Sequence, residues 1–211
     1  MLKENLRSYG FRTAPVEYLY RAILYIVCKL QLTGIEFRFD FNFIFASDDI
    51  KWVKDEMNNG KLLHYLSIQH KIPVENLSTQ SEIHDFLASF FNRNQTFKIP
   101  EHVDKRIRKM IRDESVHYDY LEYEDRALVM SLLSQFDHTI ITVGTFEFWA
   151  AMLATLRECA QEATNASFAI PRIVLYYTEQ ATPLSMLRAE YDYSTYFPTE
   201  LGWQGIYLPS D

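Results

Sequence analysis

The feature that most constrains the fold is an unbroken run of β-branched residues near the middle of the chain. The run is Thr139-Ile-Ile-Thr-Val, and Gly144 comes directly after it. β-Branched residues favour strands, and a strand without polar alternation is typical of a buried parallel sheet. Stretches with helical spacing of apolar residues flank the run within residues 125–156. The segment therefore predicts a helix, a buried strand, a glycine turn and a second helix from Phe146 to Leu156.

A strand that enters a helix through a Gly-Thr turn forms an anion site in principle. The first N–H groups of the helix have no partner within the helix, and the helix dipole places a partial positive charge there. Phosphate groups bind at such corners because both effects favour negative charge. The turn at Gly144-Thr145 also brings a hydroxyl group to the same place.

A second strand, predicted over residues 35–46, is the clearest by period. Phenylalanines alternate with polar residues along IEFRFDFNF before an apolar end. Ser47, Asp48 and Asp49 then open a helix predicted over residues 50–58, with Ser47 as N-cap and two aspartates in the first turn. The same three residues fit either a capped helix start or the crevice at a strand end that holds a nucleotide.

The remaining elements complete an alternating pattern. A helix begins near Pro15, residues 62–68 fit a short strand or a helix turn, and residues 82–91 fit a helix. Residues 102–112 form a basic amphipathic stretch that fits a solvated helix face or contact with phosphate, and strands are predicted over 116–123 and 170–177. Residues 157–167 are polar and are predicted to be a loop. This order predicts an α/β fold, with a Rossmann-like parallel sheet and helices on both faces.

Composition narrows the function. The 211 residues include 21 basic and 28 acidic side chains, a net charge of −7, so nucleic acid is not an expected partner. Cys28 and Cys159 lie in apolar helical contexts, which favours two buried thiols over one disulfide. Neither belongs to a Cys/His cluster, so no metal site is expected.

The sequence offers two conflicting signs of cellular location. It contains no transmembrane segment and does not open with a signal peptide. Three Asn-x-Ser/Thr sequons, at Asn76, Asn94 and Asn165, are those of a glycosylated protein, although such tripeptides also arise by chance.

The central segment resembles the signature of a known family. Residues 133–151, LSQFDHTIITVGTFEFWAA, are similar to LSQCDHTIITxGTFGWWAA of the α1,2-fucosyltransferase family, glycosyltransferase family 11. Residues 43–54 resemble its FSDDIEWCK segment, and residues 191–206 resemble its C-terminal YFPPEWIGI, with Trp203 packing as part of a lid. Residues 69–112 have no counterpart and are interpreted as a divergent insertion.

The resemblance implies a fold and an activity. The chain would be the C-terminal, donor-binding half of a metal-independent, inverting GT-B glycosyltransferase. Residues 1–34 would form an N-terminal helix and residues 35–211 a Rossmann-like nucleotide-sugar-binding domain. The enzyme would transfer L-fucose from GDP-fucose to the 2-hydroxyl of a galactose-terminated glycan, in the Golgi, with no cofactor. Membrane attachment would come only through an anchor outside this chain.

The resemblance also assigns a donor site but no catalytic base. The GDP-fucose contacts would be made by seven residues: Ser47, Asp48, Asp49, Thr142, Gly144, Thr145 and Phe146. Gly144 would allow close backbone approach, and Thr145 would donate its hydroxyl and N–H to a phosphate. His138 fits either a nucleotide contact or a core position.

Two departures from the family leave a second function open. The family's HxRRxD motif, whose arginine clamps the diphosphate, is absent, and Glu147 stands where the family usually has glycine. Residues 10–31 resemble the family segment on the C-terminal side of that motif, so the acceptor-binding domain is expected upstream. The alternative is a truncated or catalytically inactive nucleotide-sugar-binding module.

Overall fold

The computed structural model describes residues 12–32, 40–72, 80–92, 98–142, 145–162, 172–180 and 197–208. The three sequons lie outside these residues. Within them the helices are α1 (Val16–Leu32), α2 (Ile50–Glu56), α3 (Asn59–Ile68), α4 (Gln80–Ala88), α5 (Glu101–Arg112), α6 (Arg126–Leu133) and α7 (Thr145–Glu162). The strands are β1 (Phe41–Ala46), β2 (His70–Ile72), β3 (Lys98–Pro100), β4 (Val116–Leu121), β5 (Thr139–Ile141), β6 (Val174–Tyr177) and β7 (Gln204–Ile206).

Every strand pairing in this part of the chain is parallel, which confirms the α/β prediction. The strands form three small sheets: β1 with β4, β2 with β3, and β5-β6-β7 in that order. The sequence predicts one parallel sheet, and the described strands instead divide between these three. Helix α7 connects β5 to its parallel neighbour β6, as a parallel pair requires.

The chain folds into two compact units. The first, here called the β5–β7 unit, combines Met1–Leu19 with Asp125–Tyr207. The second, the β1–β4 unit, combines Tyr20–Glu124 with Leu208–Asp211. This division falls inside helix α1 and after residue 124, whereas the sequence divides the chain after residue 34.

The core of the β5–β7 unit packs one face of α7 against the sheet. Its aromatic members stack closely: the ring centroids of Tyr176 and Phe197 lie 3.9 Å apart with nearly parallel planes. Trp203 is 2% exposed and its indole N–H donates to Thr155 at 3.3 Å, so it is a core residue of this unit. The core cluster comprises Ile141, Phe148, Ala151, Val174, Tyr176, Phe197 and Trp203.

Strand β7 needs glycine at its middle position. A Cβ atom on Gly205 would lie 2.8 Å from the ring of Tyr176 on the neighbouring strand, and closer still to Thr178. No real side chain approaches an aromatic ring so closely, because hard-sphere repulsion forbids it. Gly205 therefore lets the Tyr176 ring lie over the strand that pairs with it.

The β1–β4 unit is built around α1 and α5. Residues Ala22 to Val27 of α1 are 0–3% exposed, and α5 buries Val103, Ile107 and Ile111 beneath its basic face. The 102–112 prediction of an amphipathic helix is confirmed. Arg21, 1% exposed, donates to the carbonyl of Ser89 at 3.0 Å, and burial lowers the pKa of its guanidinium.

Two local predictions need correction, and one open choice is decided. Residues 157–162 continue helix α7, because Ala, Gln and Glu are good helix formers even where no apolar face marks the helix. Of the two alternatives for residues 62–68, the helix is confirmed, since they belong to α3. Both thiols are free; Cys28 is buried as predicted, but Cys159 is exposed, since the α7 face that carries it is turned to solvent.

Candidate functional site

The candidate site lies at the carboxyl edge of the β5–β7 sheet. Strands β5 and β6 are parallel, with Ile141 paired to Tyr176, so both end at the same edge. Thr142 comes after β5 there and is half-buried, and α7 begins at Thr145 with Phe146 half-buried beside it. Gly144 and the side chain of Thr145 lie outside the described residues, so their predicted contacts stay predictions.

A buried tyrosine fixes the end of β5. Tyr18, from the start of α1, is 0% exposed, and its hydroxyl donates to the carbonyl of Ile141 at 2.7 Å. Its ring centroid lies 5.2 Å from that of Tyr177 on β6. This one side chain therefore ties the last residue of β5 to the end of the adjacent strand.

The first turn of α7 carries a negative charge. Burial raises the pKa of Tyr18 well above its ordinary value, and the charges of Glu147 and Tyr176 act in the same direction. Glu147 is half-buried and lies in the first turn of α7. A carboxylate in this turn weakens the attraction of the helix N-terminus for an anion.

A basic side chain reaches the same edge from the start of the chain. The backbone N–H of Arg12 donates to the carbonyl of Gln180, three residues beyond β6, at 2.7 Å. The guanidinium of Arg12 is 3.7 Å from the carboxylate of Glu179, and its side chain is 47% exposed. An ion pair this long and exposed contributes little, so the guanidinium can pair with another anion instead.

One buried donor at this edge has no hydrogen-bond partner among the described residues. Gln180 is 3% exposed, and its side-chain Nε2 makes no hydrogen bond there. An unsatisfied buried N–H group costs about 1–3 kcal/mol, so native proteins rarely leave one without a reason. Its neighbour Thr178, by contrast, donates its hydroxyl to the carbonyl of Ile206 at 3.0 Å.

The loop Ser47-Asp48-Asp49 belongs to the other unit, at the carboxyl end of β1. The cap of helix α2 is Asp49, not Ser47 as predicted: the Asp49 carboxylate accepts from the N–H of Trp52 at 3.3 Å. Ser47 instead accepts from the N–H of Asp49 at 3.1 Å. No acidic residue lies in the first turn of α2. These contacts are those of a capped helix start, and a nucleotide contact stays a prediction.

Acidic residues lie at the same sheet edge as that loop. Strand β4, parallel to β1, ends at Leu121, so the acidic residues directly after it lie at the same edge as Asp48. Lys54 pairs with one of them, Glu122. An edge with this excess of carboxylates repels a diphosphate.

His138 lies at the opposite edge of the β5–β7 sheet from the corner. Its Nδ1 accepts from the backbone N–H of Ile173 at 3.1 Å, a link between the amino ends of β5 and β6. Arg172, the residue before Ile173, binds Glu158 at 3.1 Å. The side chain of Arg172 is 7% exposed, and burial lowers the pKa of its guanidinium. His138 is half-buried and holds the two strands together, and a nucleotide contact for it stays a prediction.

Two further features, a metal-binding group and a membrane-spanning helix, do not occur among the described residues. No group of three or more His, Cys, Asp or Glu side chains among them could hold a metal ion. None of the helices described is both long and apolar enough to cross a membrane.

Sequence reasoning missed three residues of this edge: Arg12, Tyr18 and Gln180. Each is far in sequence from the Gly-Thr turn, and each is placed near the carboxyl ends of β5 and β6 by contacts that only the fold creates. The one available signal was the place of Tyr18 on the apolar face of the helix that begins near Pro15, because a buried tyrosine hydroxyl almost always needs an acceptor. No family model, curated protein or solved structure significantly matches this chain.

Proposed function

We propose that the β5–β7 unit binds the diphosphate of a nucleotide sugar, GDP-fucose, at the carboxyl edge of its sheet. On this proposal the chain is the donor-binding half of an α1,2-fucosyltransferase-like protein of the GT-B type, and the unit is part of a Rossmann-like domain. It transfers L-fucose to the 2-hydroxyl of a galactose-terminated glycan. The family resemblance of residues 133–151 supplies the donor and the reaction.

The proposal rests on where the family-like segment, residues 133–151, lies in the fold. The family-like segment folds as helix α6, strand β5 and helix α7, and β5 ends beside its parallel neighbour β6. In open parallel α/β sheets, ligands bind at the carboxyl ends of the strands. The family resemblance and this general rule therefore both favour a donor site between Thr142 and the start of α7.

The described residues suggest how the edge would hold a diphosphate. The first N–H groups of α7 and the Thr142 hydroxyl would donate to phosphate oxygens. Arg12 would exchange its exposed contact with Glu179 for a charge-assisted hydrogen bond to the phosphates. It would stabilise the charge that develops on the leaving GDP, as the arginine of the absent motif does in the family. The side-chain N–H of Gln180 would find its acceptor on the ligand.

A second function is favoured by a specific observation. Glu147 places a carboxylate at the corner, and a negative charge there opposes both diphosphate binding and departure of the anionic leaving group. A module that binds the nucleotide sugar but does not transfer the sugar tolerates this charge better than an enzyme does. The alternative is therefore a catalytically inactive nucleotide-sugar-binding module.

Calorimetry tests the proposal. The full chain is titrated with GDP-fucose, GDP and, as a mismatched donor, a UDP-sugar. We expect GDP and GDP-fucose to bind and the UDP-sugar not to bind. Release of GDP in the presence of lactose, without added metal, then separates an enzyme from a binding module. Absence of heat with GDP-fucose at millimolar concentration refutes both functions.

A pair of arginine variants locates the site. Arg12→Ala should weaken GDP binding roughly tenfold, since it removes a charge-assisted hydrogen bond. Arg126→Ala is the matched control, because Arg126 is an exposed arginine of the same unit in the first turn of α6. Equal affinities of the two variants would contradict the role given to Arg12.

A further inference from the structure

Helix α7 presents an apolar seam to solvent. Trp149, Leu153 and Leu156 are 53%, 47% and 55% exposed, and together with half-buried Phe146 and exposed Ala160 they form what is here called the α7 seam. Large apolar side chains exposed in a contiguous row on a folded unit usually mark an interaction surface. The opposite face of the same helix, with Phe148 and Ala151, packs in the core of its own unit.

The spacing of the residues in the α7 seam fits a helical partner. Its five members succeed one another at steps of three, four, three and four residues, the a/d repeat by which one α-helix packs into another. A row with this spacing fits against another α-helix that carries the same repeat.

The side-chain sizes along the seam fit a second copy of the same helix. In an antiparallel pair, a positions of one helix lie against d positions of the other. If Leu153 lies against the partner copy's Leu156, Trp149 lies against its Ala160, so the largest side chain of each seam meets the smallest of the other. The pairing is two-fold symmetric, as most homodimers are, and it closes without exposing a further surface.

We propose that two copies of this chain associate through antiparallel pairing of their α7 seams. Three half-exposed side chains per copy bury less surface than the roughly 800 Å² that each partner of a standard interface buries. The dimer is therefore reversible. Each copy also has a net charge of −7, which opposes association. Added salt screens this repulsion, so dimerisation strengthens with ionic strength.

Sedimentation equilibrium in the micromolar range, at low and high salt, tests the dimer. The full chain should show a monomer–dimer equilibrium that shifts to dimer as salt rises. Leu153→Gln and Leu156→Gln should each remain monomeric while keeping the helical circular dichroism of the wild type. Leu201→Gln is the matched control and should dimerise normally, because Leu201 is a comparably exposed leucine, 42%, outside the seam.

Cross-linking tests the register. Exposed Cys159 and its copy lie roughly 13 Å apart along the paired helices, whereas a cysteine at Met152 lies about 3 Å along the axis from the partner copy's Cys159. Because Met152 is half-buried against the core cluster, the reactivity of Met152→Cys at position 152 is first established with a mono-maleimide. Met152→Cys should then form covalent dimers with a short bis-maleimide, and the wild type should not. A monomeric wild type, dimers that survive both glutamine variants, or cross-linking of the wild type alone would overturn the proposal.

Discussion

Replacing Tyr18 with phenylalanine removes one hydroxyl from the end of β5 and leaves the ring in place. The carbonyl of Ile141, a residue with 0% exposure, then loses its 2.7 Å donor inside the core. A buried acceptor left without a partner costs about 1–3 kcal/mol. We expect a loss of about 1–2 kcal/mol in the free energy of unfolding, because the ring keeps its contact with Tyr177.

Thermal and urea unfolding at neutral pH measure this loss. A domain of this size loses about 2–4 °C of melting temperature per kcal/mol. Tyr123→Phe is the control, because Tyr123 is 58% exposed, and it should change stability by less than about 0.5 kcal/mol. If Tyr18→Phe is as stable as Tyr123→Phe, the proposed bond between α1 and β5 does not matter energetically.

Alkaline pH provides a second check on the same residue. The folded-state pKa of Tyr18 is raised, chiefly by burial, above the unfolded value of about 10. A group with a raised folded pKa contributes its full stability below the unfolded pKa and loses it as pH rises through the folded pKa. The stability difference between wild type and Tyr18→Phe should therefore shrink above about pH 10. A difference that stays constant or grows there would contradict the assigned burial.

Three further predictions concern the charge of Glu147, the missing side chain at Gly205 and the reactivity of the two thiols. Glu147→Gln should strengthen GDP binding by calorimetry about three- to tenfold, because it removes a carboxylate from the corner, and unchanged affinity would mean that the phosphates bind elsewhere. Gly205→Ala should destabilise the chain by about 1–3 kcal/mol in urea unfolding, since its Cβ would meet the ring of Tyr176; a neutral effect would contradict the close approach. Ellman's reagent should modify Cys159 in the native chain and Cys28 only after denaturation, because burial raises the pKa of the Cys28 thiol; two fast thiols would refute that burial.

The local elements were predictable because their signals lie within a few residues. The β-branched run of β5, the alternation that ends in β1 and the amphipathic period of α5 each identify the type of element within a few residues. Element ends were less predictable. Both Ser47 and Asp49 are good N-cap residues, and only the observed hydrogen bond to Trp52 identifies Asp49 as the cap.

The sheet arrangement and half of the candidate site depend on long-range contacts. Nothing in the period of β1 or β4 says that these strands pair with each other and not with β5, because any parallel strand offers the same hydrogen-bonding groups. Arg12 reaches the end of β6 through a backbone bond to Gln180, and no local pattern records such a bond. The corner itself was found from sequence because its strand, turn and helix are consecutive.

The most direct test of the central claim is a nuclear magnetic resonance titration of the isotope-labelled full chain with GDP. The account predicts that the largest shifts occur at the backbone amides of Thr142 and Phe146 and at the side-chain amide of Gln180. Thr142 directly follows β5, Phe146 lies in the first turn of α7, and Gln180 follows β6, the parallel neighbour of β5. Shifts confined to the loop Ser47–Asp49, or no shifts at saturating GDP, would contradict a diphosphate site at this edge.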